Sequence, residues 1–349
     1  MRQNPFSLTF GKEPEAIINN VDNYETIKNN YLSKNPTSMA NVITGVRGSG
    51  KTVLLNRIYN YFENLDDWIV VELNPETDML EYLASSIYEK TNMKFKFLKK
   101  EFSFSFRGIS ISLSGDNPVS NVITLLEKMF DILKKKNIKV LVCIDDISNN
   151  QNVKIFVQQF QIFIRKNYEL FLLMTGLYEN VRSLQNEKSL TFLYRAPQIS
   201  MNPLSLISIG ESFIDLLDAK KEDAIQMAKL TKGYAFAYQV LGYVMFKNEK
   251  QRIDDEIIKE FDKYLREYVY EKIYFDLPTT ERNIINCMAK EDDGNISSIM
   301  EKLEISKESI SQYRDKLIKK GVLNKPNWGK LDFALPRFKE YVLLQLDFL

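Results

Sequence analysis

The sequence predicts an α/β fold, a parallel sheet with helices on both faces, followed by segments that are helical throughout. Two observations carry this. Short apolar runs at residues 41–44, 68–73, 140–144, 171–174 and 198–201 alternate with stretches of helical periodicity, the pattern of strands joined by helical crossovers. After Pro203 such runs stop, and apolar residues recur at helical spacing instead. At 349 residues, 44% hydrophobic and 27% charged, the chain has an ordinary globular composition, with room for about two or three domains.

The first run leads into Gly45-Val46-Arg47-Gly48-Ser49-Gly50-Lys51-Thr52. This fits G-x-x-x-x-G-K-[ST], the P-loop that cradles nucleotide phosphates, and it lies between a strand signal and a helix signal as that motif requires. Glycines at 45, 48 and 50 let backbone N–H groups, including those of Arg47, Ser49 and Val53, approach the phosphates. Lys51 is expected on the β- and γ-phosphates, and the Thr52 hydroxyl in a Mg²⁺ shell. The expected ligands are therefore ATP or ADP with Mg²⁺.

Phosphoryl transfer of this kind needs a carboxylate on a neighbouring strand. Lys139-Val140-Leu141-Val142-Cys143-Ile144-Asp145-Asp146 supplies two. The apolar run reads as a strand buried on both faces, with its acids at the carboxyl end, where open α/β sheets bind ligands. Asp145 is expected on the metal side. Asp146 is expected to position the attacking water, less effectively than a longer Glu, so turnover is expected to be slow. The 171–174 run ends at Thr175-Gly176, and two readings of Thr175 stand: a hydroxyl that orients water or reads the γ-phosphate, and a simple strand cap.

Composition removes other chemistries. The chain has no histidine, which excludes His-based acid–base work, Ser-His and Cys-His nucleophiles and most structural zinc arrangements. Mg²⁺-assisted phosphate chemistry survives, because it needs only Lys, Thr, Asp and backbone amides. The two cysteines, Cys143 and Cys287, do not suggest a disulfide framework. No apolar run is long enough to span a membrane and the first residues are not a secretory signal, so a cytoplasmic location is expected. A net charge of +1 means that any nucleic-acid surface must be local.

Three further segments have readable patterns. Phe102 to Leu113 alternates apolar residues with Ser around Arg107-Gly108 and is expected to form a β-hairpin insertion near 100–115, folded on its own domain or used for partner or DNA contact. Residues 204–277 read as a small helical lid, broken at Gly233. From Pro278, helices at 279–290, 296–303 and 307–320 precede two short extended segments around Pro326-Asn327-Trp328-Gly329, a helix-turn-helix with a wing. Lys307, Ser309, Ser311, Gln312, Arg314, Lys316, Lys319 and Lys320 fall on its third helix. These types contact phosphates and base edges, though Glu308 and Asp315 interrupt the set. Two uses of this unit stand, DNA contact and protein packing.

With these residues in hand, the chain resembles bacterial AAA+/P-loop ATPases related to initiator and origin-recognition ATPases and to signalling ATPases of the STAND class. Asn4-Pro5-Phe6-Ser7-Leu8-Thr9-Phe10-Gly11 is similar to the N-P-F-x-P-x-F-G segment of that family, with Leu8 in place of the second proline. The resemblance implies that Pro5 and Phe6 lie beside the adenine. Gly233-Tyr234-Ala235-Phe236 is similar to the family's G-Y-P-[YF] lid signature, with Ala235 where proline is usual. It implies that Gly233 and Tyr234 approach the nucleotide. This stretch carries no arginine sensor, which leaves Lys232. Arg195 stands where the family often places an arginine before its last core strand, and two roles follow: a finger toward a neighbouring subunit's nucleotide, or a surface or salt-bridge residue.

The expected organisation is an AAA+-like P-loop NTPase core at 1–203, a helical lid at 204–277 and a C-terminal winged-helix domain at 278–349. The expected function is Mg²⁺-dependent ATP hydrolysis coupled to DNA, through Arg314, Lys316 and Lys319, or to a DNA-bound partner, with homo-oligomers expected as an alternative form of assembly. The competing expectation is an ATP-dependent regulatory switch that works through protein contacts with little turnover.

Overall fold

A computed structural model describes residues 3–9, 11, 13–18, 21–94, 111–112, 118–119, 122–291 and 294–347. The chain divides into two units. One comprises Val21–Thr44 and Lys51–Ser200; the other comprises Met1–Asn20, Gly45–Gly50 and Met201–Leu349.

The first unit is built on strands β1 (Ala40–Thr44), β2 (Trp68–Glu72), β3 (Ile111–Ser112), β4 (Pro118–Val119), β5 (Lys139–Ile144), β6 (Leu170–Gly176) and β7 (Gln198–Ser200). Five of them form a sheet in the order β2-β5-β6-β1-β7, and every neighbouring pair in it is parallel. All residues of β1 and β6 are buried, as the unbroken apolar runs require of strands covered on both faces. On one face, the helices Val21–Leu32 and Lys51–Glu63 bring Tyr31 and Phe62 against Trp68 and Phe171, with ring centroids 4.3 to 6.0 Å apart. On the other, Leu83, Phe130, Phe156, Phe160 and Phe163 pack against Val42, Val140, Val142 and Leu172.

Parallel strands place their carboxyl ends along one edge. Thr44 pairs with Gly176 and Ile144 with Met174, so Thr175 lies one step beyond the last β5–β6 pair, level with Asp145. This register is what brings the acids and the threonine together. The expected hairpin at 102–113 lies outside the described residues except for Ile111–Ser112, which pair antiparallel with Pro118–Val119.

Among the described residues, the regular elements of the second unit are helices and a two-stranded antiparallel ribbon, β8 (Leu323–Asn324) with β9 (Asp332–Phe333). Helices Leu206–Leu217, Lys221–Thr231, Ala235–Lys247 and Asp255–Leu265 share a core with helices Thr279–Glu291, Ile296–Leu303, Lys307–Lys319 and Phe338–Asp347. A turn of π-helix at Arg266–Tyr270 joins Asp255–Leu265 to the short helix Glu271–Asp276. Side-chain oxygens of Ser205, Asp254 and Ser306 cap the helices that follow them, each satisfying a first-turn N–H with no partner in its own helix. The C-terminal helices are tied to the preceding ones by Arg337, whose guanidinium meets both carboxylate oxygens of Asp262 at 2.7 to 3.2 Å, and by Tyr270, which donates to the Pro336 carbonyl. No helix among the described residues is long and apolar enough to cross a membrane.

Candidate nucleotide site

The glycine-rich loop Gly45–Gly50 packs with the second unit, where helix-forming residues grip it from its carbonyl side. The buried Tyr234 hydroxyl donates to the Arg47 carbonyl at 2.5 Å, and the Phe236 N–H donates to the Gly48 carbonyl at 3.1 Å. Burial pushes the Tyr234 phenol well above its ordinary pKa, so it stays a donor across the physiological range. Gly48 has φ +73, and a Cβ there would run into the Tyr234 hydroxyl and come within 2.9 Å of the Phe236 Cβ. Only glycine lets the loop lie so close. Among the described residues the buried Ser49 Oγ has no hydrogen-bond partner, and Arg47 Nη2 lies 3.6 Å from Asp276 Oδ2.

In the first unit, threonines and acids meet at the carboxyl ends of β5 and β6. Lys51 and Thr52 open the helix Lys51–Glu63, with Val53 next in its first turn. Thr52 Oγ1 donates to Asp145 Oδ2 at 2.8 Å, and Thr175 Oγ1 donates to Asp145 Oδ1. The Thr175 oxygen also accepts the Asp146 N–H at 3.0 Å. Thr175 is fully buried, its hydroxyl is committed on both sides, and so it orients Asp145 rather than facing water. Asp146 is exposed with a left-handed backbone at φ 50, and among the described residues its carboxylate accepts no hydrogen bond.

Thr52 and Asp145 are hard oxygen donors within hydrogen-bond reach of each other, and that donor set suits Mg²⁺, which keeps most of its shell as water and phosphate oxygen. Among the described residues no three His, Cys, Asp or Glu side chains converge on a metal position. A cation held here would polarise a phosphate and neutralise developing charge.

The remaining expected residues separate into groups. Pro5 is buried, and Phe6, at 2% exposed, packs its ring on Phe213 and Tyr238 and against Gly242. Its ring is a core ring, because Gln239 seats the whole segment by accepting the Ser7 N–H and donating to the Ala16 carbonyl. Gly233, at φ +75, lets Pro203 and Leu204 approach its backbone closely, and so prepares the turn that presents Tyr234. Lys232 is committed elsewhere: it donates to the Phe333 carbonyl at 2.8 Å and pairs with Asp332 at 3.3 Å. Arg195 is exposed at the end of a 3₁₀ segment and forms no ion pair among the described residues.

On the helix Lys307–Lys319, Arg314 bonds Asp315 and Ser311, while Lys316 lies over the Tyr313 ring at 5.6 Å. Lys316 and Lys319 are exposed, and Lys320 is not part of that surface, since it pairs with the buried Glu281 at 2.5 Å. Trp328, 91% exposed, carries Lys325 4.9 Å from its ring centroid.

Residues 27–177 match a family described as an ATPase domain predominantly from Archaea. The ORC2 protein of Aeropyrum pernix, solved as ADPNP–ADP complexes, matches over 94% of each chain with a TM-score of 0.58 at 14% identity. The fold is that of the Aeropyrum ORC2 protein. The ADP form of the same Aeropyrum protein matches over 97% of this chain and 96% of that one, with a TM-score of 0.52 and 13% identity. Residues 267–342 match a domain of unknown function (DUF8462). No curated protein matches the chain.

Reading the sequence alone missed two contacts on the loop. The Phe236 N–H is a backbone donor and leaves no trace in residue type. Asp276 closes a short helix far along the chain from Arg47, and no spacing rule connects them.

Proposed function

We propose that this chain binds ATP with Mg²⁺ and hydrolyses the γ-phosphate, and that it couples the nucleotide state to DNA or to a DNA-bound partner. The single observation that carries this is the Thr52–Asp145 hydrogen bond at the head of the helix that follows the glycine-rich loop. It supports a metal-binding pair next to Lys51, and the family description and the initiator-type fold support the nucleotide. In this reading the loop amides and Lys51 hold the phosphates and Thr52 and Asp145 hold the cation. Thr175 fixes Asp145, and the free carboxylate of Asp146 takes the water. The three-part division into core, lid and winged helix, with the boundaries given above, is part of the proposal. So is a role for the unpaired Arg195 toward a neighbouring copy.

Coupling to DNA rests on Lys316, Lys319, Lys325, Lys330 and the exposed Trp328 around the C-terminal ribbon. Phosphate release from ATP, measured for the parent and for Lys51→Ala with and without duplex DNA, tests both parts. Equal release by parent and variant would remove the hydrolase reading. Anisotropy of a labelled duplex at low salt would remove the DNA arm if the parent showed no binding with an ATP analogue present.

A regulatory switch with little turnover is the second reading. It is favoured by Asp146, whose exposed carboxylate accepts no hydrogen bond among the described residues that would orient it toward a water. Tight nucleotide binding with negligible release would select it.

A further inference from the structure

Arg47 is underused for a guanidinium. Among the described residues its Nε is buried with no hydrogen-bond partner, and its ion pair there, to Asp276, is long at 3.6 Å, with the two side chains 36% and 41% exposed. Asp276 does not depend on it, because its other oxygen pairs with Lys272 at 3.0 Å. Such a contact opens at small cost: exposed ion pairs contribute about 0.2–1 kcal/mol. A phosphate offers Arg47 more, since charge-assisted, bidentate bonds to an oxyanion match the planar fork of the guanidinium.

The place of this pair gives it a consequence. Asp276 ends the helix that continues from the π-turn Arg266–Tyr270, and Leu277-Pro278 leads directly into the C-terminal helices. Those helices touch the loop a second time at Gly321, whose Cβ position lies 3.2 Å from the Val46 Cβ. The loop is therefore in contact with the segment joining the two sets of helices and with the C-terminal set itself.

We infer that Arg47 and Asp276 form a nucleotide-sensitive latch, in which phosphate entering the loop takes Arg47 from Asp276 and so frees the 271–278 segment that leads to the C-terminal helices. The inference rests on the proposed nucleotide site. Because linkage is reciprocal, whatever holds Asp276 on Arg47 weakens nucleotide binding by the same factor.

Titration of the full chain with MgADP and with a non-hydrolysable ATP analogue tests it, using Asp276→Asn, Arg47→Gln and the double variant. Asp276→Asn is expected to bind about two- to fivefold more tightly than the parent, the factor that an exposed ion pair supplies. In the Arg47→Gln background the same change is expected to do nothing. An equal gain in both backgrounds would mean that Asp276 acts only as a nearby negative charge, and no gain in either would mean that it does not compete; each overturns the latch. Hydrogen exchange supplies a second readout: amides at 271–276 are expected to exchange faster when nucleotide is added, and unchanged exchange overturns the latch as well. Lys51→Ala separates this from the site itself. If Lys51→Ala loses nucleotide while Asp276→Asn leaves affinity unchanged, the latch fails and the site stands; if Lys51→Ala binds like the parent, both fail.

Discussion

The Thr175 hydroxyl stands between two aspartates, donating to the Asp145 carboxylate and accepting the Asp146 N–H at 3.0 Å. One fully buried side chain thus sets the direction of the carboxylate that faces Thr52 and the backbone of the acid beside it. Replacing Thr175 by Val keeps the shape but takes a hydrogen bond from the half-buried Asp145 carboxylate and another from the Asp146 N–H, at a cost of about 1–3 kcal/mol of folding stability. Urea unfolding measures the loss, and Mg²⁺-dependence of nucleotide affinity is expected to weaken with it. Thr175→Ser should restore both; a Val variant equal to the parent in both assays would show that the hydroxyl positions nothing.

Lys51→Ala is expected to weaken nucleotide binding by about 10- to 150-fold, since a charge-assisted contact to phosphate contributes about 1.5–3 kcal/mol. Calorimetry with the ATP analogue checks this.

Asp145 and Asp146 should separate when each is changed to Asn. Asp145 accepts from Thr52 and Thr175, so Asp145→Asn puts an amide where a metal-side oxygen is needed and is expected to abolish the effect of Mg²⁺ on binding. Asp146→Asn touches no such contact, and it should bind nucleotide normally but release phosphate more slowly. Parallel binding and release assays decide, and two variants with parent-like turnover would displace the acids from the mechanism.

Tyr234→Phe deletes the donor to the Arg47 carbonyl and should cost about 0.5–1.5 kcal/mol, the net value of one hydrogen bond, with a larger loss if the buried carbonyl finds no other partner. Hydrogen exchange at Gly45–Gly50 is expected to rise. An unchanged exchange rate would mean that the loop holds its shape without the Tyr234 hydroxyl.

Glu281 and Lys320 form a buried pair, 2% and 11% exposed in their side chains. Lys320→Met strands the Glu281 carboxylate and alone should destabilise the chain by about 3–5 kcal/mol, while Glu281→Leu with Lys320→Met should recover most of the loss. Thermal unfolding of the two variants beside the parent reads it out. A single variant as stable as the parent would show that water reaches the pair.

The sequence by itself determined the sheet and its helices. Apolar runs too long to alternate could only be strands covered on both sides, and glycines with Lys-Thr at fixed spacing are the local pattern on which the proposed phosphate loop rests. The helix at Ile296–Leu303 was legible to the residue, since Asn295 caps it and apolar residues recur along one face. Register was not legible: that Thr175 lies level with Asp145 follows from the pairing of β5 with β6, which depends on the whole sheet. Nor could residue type show that Phe6 packs as a core ring, that Lys232 turns to Phe333 and Asp332, or that Arg47 meets Asp276. Local pattern decides local structure, because propensity and periodicity act over a few residues; partners distant in sequence are chosen only when packing closes and each buried polar group must find whatever donor or acceptor the fold has brought beside it.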